Sequence, residues 1–120
     1  TTTIAAAALA AAGAALVGIA APAAAQTAID SDVRCFLLSN AFAKQATDEK
    51  SRAVAGASLA FYLGRLDGRG SIAAIAGAIR RLGPTIDPKS AGAQMSACAQ
   101  RMGRLEQSIQ AAVKAGGPLK

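Results

Sequence analysis

The sequence predicts an all-α protein: a small four-helix domain with one disulfide joining the first and last helices, preceded by an N-terminal signal-peptide helix. Three observations predict it. Apolar residues recur at separations of three and four in four successive stretches, each bounded by capping or chain-breaking residues. No β-branched run alternates with period two, and the only two cysteines, Cys35 and Cys98, fall in the first and last of those stretches.

Residues 1 to 25, TTTIAAAALAAAGAALVGIAAPAAA, carry no charged side chain, and the first in the chain is Asp30. An uncharged apolar run ending in Ala23-Ala24-Ala25 has the apolar segment and small-residue cleavage site of a secretory signal. No Lys or Arg precedes it, so the charge such a signal needs would come from the terminal amine or from upstream sequence. A retained membrane anchor is the alternative, because the run has about the ~20-residue length that spans a bilayer. Cleavage after Ala25 gives two expected parts, a leader of 1–25 and a single helical domain of 26–120. All 13 basic and 7 acidic residues lie in the second part, and the 52% hydrophobic content is inflated by the leader's alanines. A domain of that size with one Tyr, three Phe and no Trp has a modest core and benefits from a covalent staple.

The first helix is expected from Asp32 to about Ala46, after an entry segment of Gln26 to Ser31. Val33, Phe36, Leu37, Ala41 and Phe42 form its apolar stripe, Leu38 widens it, and Cys35 points inward. Ser31 or Asp32 is the expected cap. A second helix follows Thr47 as cap, with Asp48 and Glu49 at the positive end of its dipole. It is expected to bury Val54, Leu59, Tyr62, Leu63 and Leu66, with Gly56 and the alanines admitting a close neighbour. Gly68 and Gly70 suit a left-handed exit. The third helix opens at Ser71, presents Ile72, Ile75, Ala76, Ile79 and Leu82 on one face, and carries Arg80 and Arg81 in its last turn. Gly83, expected to be left-handed, and Pro84 end it. The fourth is expected to start at Asp87-Pro88, with Met95, Cys98, Met102, Leu105, Ile109 and Ala112 forming an a/d seam as far as Gly116-Gly117. That seam would pack along the three shorter helices; self-association through it is the alternative, which leaves monomer and homodimer both open.

Two cysteines in an exported chain allow one intramolecular pairing, so Cys35 and Cys98 are expected to bridge. Two unlinked buried thiols are the alternative, since cysteine packs well as a small apolar residue. A redox pair would come as C-x-x-C, which is absent. A bridge closing that loop stabilises by about 4 kcal/mol in the chain-entropy model.

Reactive groups are sparse. The chain has no His, which removes histidine-base hydrolysis and the common imidazole and thiolate zinc sites. Its seven carboxylates read as caps and first-turn charges. "GRLDGRG", Gly64 to Gly70, lacks the lysine and hydroxyl of a phosphate loop and reads as a helix end and turn. No enzymatic activity, cofactor or metal is expected. The net charge of +6 and pI near 10.0 point to acidic partners. Arg65 with Arg69, Arg80 with Arg81, and Arg101 with Arg104 are the candidate contacts. Aromatic residues are not interleaved with them, so nucleic acid is not expected. Anionic lipid, lipopolysaccharide or an acidic protein remain.

"CFLLSNAF", "AFYLGRLDG" and a second cysteine in "SACAQRM" together resemble the small exported helical proteins of the HdeA/HdeB-like acid-stress chaperone type. The resemblance covers roughly Val33 to Arg104, and only Cys35 and Cys98 match as structural positions. Similar layouts occur in immunity proteins of the type VI secretion system, and the alanine-rich leader with "LSNAFAKQATDEKSRA" looks like uncharacterised alphaproteobacterial secreted proteins. The resemblance implies a periplasmic or secreted binding protein, chaperone-like and stress-related, with the client left open. The alternatives are an immunity or inhibitor protein that binds an acidic partner, and a peripheral binder of the anionic envelope.

Overall fold

The structure of the chain, a computed structural model, describes residues 17–117, with side chains from residue 24 onward. Four helices follow in order: α1 (Val17–Gln45), α2 (Glu49–Asp67), α3 (Ile72–Leu82) and α4 (Ala91–Ala115), with a 3-10 turn at Gly83–Thr85 between the last two. No strand occurs among the described residues. The fold class is therefore the expected one, and Cys35 and Cys98 are bridged, with their Cα atoms 5.6 Å apart.

The first helix departs from its expected start. Residues 26–31 are helical rather than an entry segment, and the helix is continuous from Val17 through Pro22. Alanine is the strongest helix former, so no boundary forms between the alanine-rich run and the apolar stripe that follows. Neither Ser31 nor Asp32 is a cap; both lie inside α1. Residues 1–16 of the expected leader lie outside the described residues. Among the described side chains of α1 the first buried one is Ile29, and 24 to 27 are exposed. No helix among the described residues is long and apolar enough to cross a membrane.

Helix α2 starts one residue later than expected. Asp48, not Thr47, is its cap and accepts from Ser51 N at 2.8 Å. Its buried face is Ala55, Ser58, Tyr62 and Leu66, while Val54 and Leu63 are exposed. Small side chains at the first two positions bring α2 onto α1, and the hydroxyls are satisfied there: Ser39 Oγ donates to Cys35 O at 2.7 Å and meets Ser58 Oγ at 2.7 Å. Gly56 faces open space and takes no part in that approach.

Ser71 caps α3 as expected, accepting from Ala74 N at 3.2 Å. Ala78 and Leu82 are its buried residues, and Ile72 is 82% exposed. The expected left-handed exits at Gly68 and Gly83 are right-handed instead, at φ −86° and −49°. At Gly83 the chain tightens into the 3-10 turn and needs no reversal of handedness. Gly70 has a different reason to be small: a Cβ there would sit 3.3 Å from Ile29 Cδ1.

Helix α4 begins at Ala91, later than Asp87-Pro88. The Asp87 carboxylate accepts from Lys89 N at 2.9 Å, which closes a turn ahead of the helix. Of the expected seam only Met95 and Cys98 are buried. Leu105, Ile109 and Val113 are exposed, because α4 runs beyond the end of α2. At 1.5 Å per residue it runs about 37 Å against about 28 Å for α2, so its outer turns pass beyond the body.

Two clusters make the core. Cys35, Leu38, Ala55, Tyr62, Met95 and Cys98 join α1, α2 and α4. Ile29, Val33, Leu66, Ala78 and Leu82 join α1, α2 and α3. Helices α1 and α2 belong to both and together form the spine of the molecule.

Candidate binding surface

One helical turn from the disulfide on both α1 and α4, Asp32 and Arg101 meet. The Asp32 side chain is fully buried, and three guanidinium groups converge on it, from α2 (Arg65), the turn after α2 (Arg69) and α4 (Arg101). Arg65 Nε donates to Oδ1 at 3.1 Å, and Arg101 Nη2 lies 3.0 Å from the same oxygen. Arg69 Nε lies 2.6 Å from Oδ2 as an ion pair. Its N–H is not aligned with that oxygen, so Oδ2 accepts no hydrogen bond.

Neighbouring groups position these cations. Arg101 Nη1 donates to Ser31 Oγ at 2.9 Å, and its guanidinium stands 5.7 Å from the Tyr62 ring centroid. Arg65 stands 5.7 Å from that of Phe61. Tyr62 in turn donates its hydroxyl to Cys98 O at 2.7 Å, and burial pushes its pKa above the usual phenol value. Three positive charges against one negative leave the cluster cationic, with the guanidiniums partly exposed. The cluster ties α1, α2 and α4 together and still presents positive charge outward.

The six arginines singled out in the sequence thus divide. Arg65, Arg69 and Arg101 are brought together, committed to Asp32. Arg81 makes a two-pronged bond to Asp30, at 2.8 and 2.9 Å. That bond, opposed by burial and aided by Gln26, lowers the Asp30 pKa to about 2. Arg80 is exposed and forms no ion pair among the described residues. Arg104 lines a groove of about 320 Å³ above the disulfide with Arg101 and Arg34. Sequence reasoning missed Asp32 as the hub, Asp30 as the partner of Arg81, and Arg34. The available signal was that Asp30 and Asp32 are the only acids in α1, while basic doublets recur in the other helices.

Apolar surface is exposed in three places. A groove of about 530 Å³ between α2 and α4 has Phe42, Val54, Ala55 and Met95 in its lining. A second, about 280 Å³, lies among Phe36, Leu63, Leu66, Ile72, Ile75 and Ile79. A third, about 260 Å³, is formed by Phe61 against Met102, Leu105 and Ile109 of α4, and the exposed stripe continues outward to Val113. Among the described residues no group of three or more His, Cys, Asp or Glu is placed to hold a metal ion. No family model matches the sequence, and no match was found among curated proteins or among solved structures.

Proposed function

We propose that the protein is a non-enzymatic binding protein of an extracytoplasmic, oxidising compartment, chaperone-like and stress-related, that captures proteins exposing apolar segments. The exposed apolar face on the outer half of α4, Leu105, Ile109 and Val113, is the observation that carries this reading. It is a helix-width stripe that meets Phe61 at its inner end and stays exposed along its length, of the kind that lies against apolar protein surface. The disulfide is consistent with an oxidising compartment. Export is supported by the uncharged apolar run of residues 1–25 and its small-residue end, the pattern of a secretory signal.

Light scattering of an aggregation-prone client at low pH, with and without the oxidised chain, tests the proposal. Suppression that scales with the ratio of protein to client, and weakens in Ile109→Lys, is expected. No suppression at any ratio overturns it.

A second reading, an inhibitor or immunity protein for an acidic partner, is favoured by the groove where Arg34, Arg101 and Arg104 gather. It predicts one stoichiometric partner whose complex weakens with salt and is lost in Arg104→Glu. Binding unchanged by either treatment excludes that face.

A further inference from the structure

The α2–α4 groove has features that client capture on α4 does not use. Its lining includes Phe42 of α1 and Ala46 just after it, with Ala55 and Met95, and is otherwise mostly small, Ser51, Gly92, Ser96 and Ala99. On α4 the lining advances from 92 to 99 in steps of three, one and three, so the channel is about two helical turns, or ~10 Å, long. Lys50 is the single charged side chain in the lining, and it forms no ion pair among the described residues. The nearby Asp48 carboxylate is turned back on Ser51 N.

Helices α2 and α4 run parallel, as the pairings Tyr62 with Cys98 and Arg65 with Arg101 around Asp32 require. Both therefore begin at the Lys50 end, where their backbone dipoles add to the lysine's charge. The groove is thus apolar along its length, and its one charged lining residue, Lys50, stands at the end where both helices begin, with Glu49 next to it in the chain but outside the lining. Its volume is within the range of small-molecule sites.

We infer that the α2–α4 groove binds a single-chain aliphatic carboxylate, with the chain along Phe42, Val54 and Met95 and the carboxylate at Lys50. A peptide segment would bring backbone N–H and C=O groups into a lining that offers few partners, and their desolvation would oppose binding. An alkyl chain has no such groups. Gly92 supplies the steric test, because a Cβ built there meets no heavy atom within 4 Å. A larger side chain at 92 enters the groove without displacing core residues.

The experiment titrates hexanoate, octanoate and decanoate, each below its micellar concentration, into the full oxidised chain, observed through methyl NMR. Expected is saturable binding that tightens by roughly threefold to fourfold per methylene until the groove is full. Shifts should be confined to the groove methyls, those of Val54, Met95 and the lining alanines, with Leu63 and Ile109 still. Gly92→Leu should weaken decanoate at least tenfold with helical content unchanged. Lys50→Gln should weaken decanoate roughly twofold to fivefold and leave decanol unaffected. Equal shifts at Leu63 and Ile109, no gain with chain length, or equal affinity of decanol and decanoate for the unmodified chain each overturn the assignment. The wild-type methyl map decides the matter if Gly92→Leu does not fold. Its outcome is also separate from client capture, which reads the Ile109 face.

Discussion

Replacing Asp32 by Asn keeps the shape of the side chain and removes the one negative charge that three arginines share. Taking one partner out of a buried ion pair costs about 3–5 kcal/mol, because the remaining charge is left uncompensated. Here the stranded charges are guanidiniums that are partly exposed and keep some hydration, so we expect about 2–4 kcal/mol. The reverse perturbation is milder. Removing Arg69 alone leaves Asp32 with Arg65 and Arg101, and should cost about 1 kcal/mol or less, as for other solvent-screened pairs. Urea denaturation followed by far-ultraviolet circular dichroism, under non-reducing conditions, measures both. Raising the salt concentration should shrink the Asp32→Asn penalty, since screening relieves repulsion among the three cations. Asp32→Asn within about 0.5 kcal/mol of the unmodified chain, the range of an ordinary surface substitution, would refute the hub. So would an Arg69→Ala penalty as large as that of Asp32→Asn.

The bridge makes a separate prediction: Cys35→Ser with Cys98→Ser should lower unfolding free energy by about 4 kcal/mol, and a loss below about 1 kcal/mol would contradict the clasp. The Asp30–Arg81 pair predicts a pH dependence with a definite sign. Because the folded pKa of Asp30 is depressed from 3.8 to about 2, its contribution is present above pH 4 and disappears as pH falls through 2. The pair is solvent-exposed, so the unmodified chain should exceed Arg81→Gln in stability by only a small margin at pH 6. It should vanish by the acid limit, and a difference that grows on acidification contradicts the pairing. Ile109→Lys should change stability by less than about 0.5 kcal/mol, as expected of an exposed site, while reducing client capture; a large loss of stability would mean that Ile109 is packed into the body of the molecule.

How much was legible in the sequence depended on how local each signal is. Ser71 as a cap, the last-turn arginines of α3 and the inward-facing Cys35 are set within one or two turns of helix, and all three stand in the structure. Asp32 was read as a cap because its local context, an acid ahead of an apolar stripe, is the same for a cap and for a buried charge. What distinguishes them is Arg65, Arg69 and Arg101, between 33 and 69 positions away. The face of α2 was misread because its interior contact is made by Ala55 and Ser58. Small residues define a close helix approach without registering as an apolar stripe, so the larger Val54 and Leu63 drew the expectation outward. On α4 the period identified the apolar face correctly, but a repeat does not reveal how long the partner is. Helix α2 is too short to cover the seam beyond Met102. The grooves depend on packing between helices distant in sequence and have no linear signature.

The account stands or falls on the covalent tie between α1 and α4. Intact mass after denaturation and alkylation without reductant is the most direct measurement of it. The account predicts a chain lighter by two hydrogens that takes up no alkylating reagent until reductant is added. A chain that takes up reagent at both Cys35 and Cys98 beforehand would contradict it.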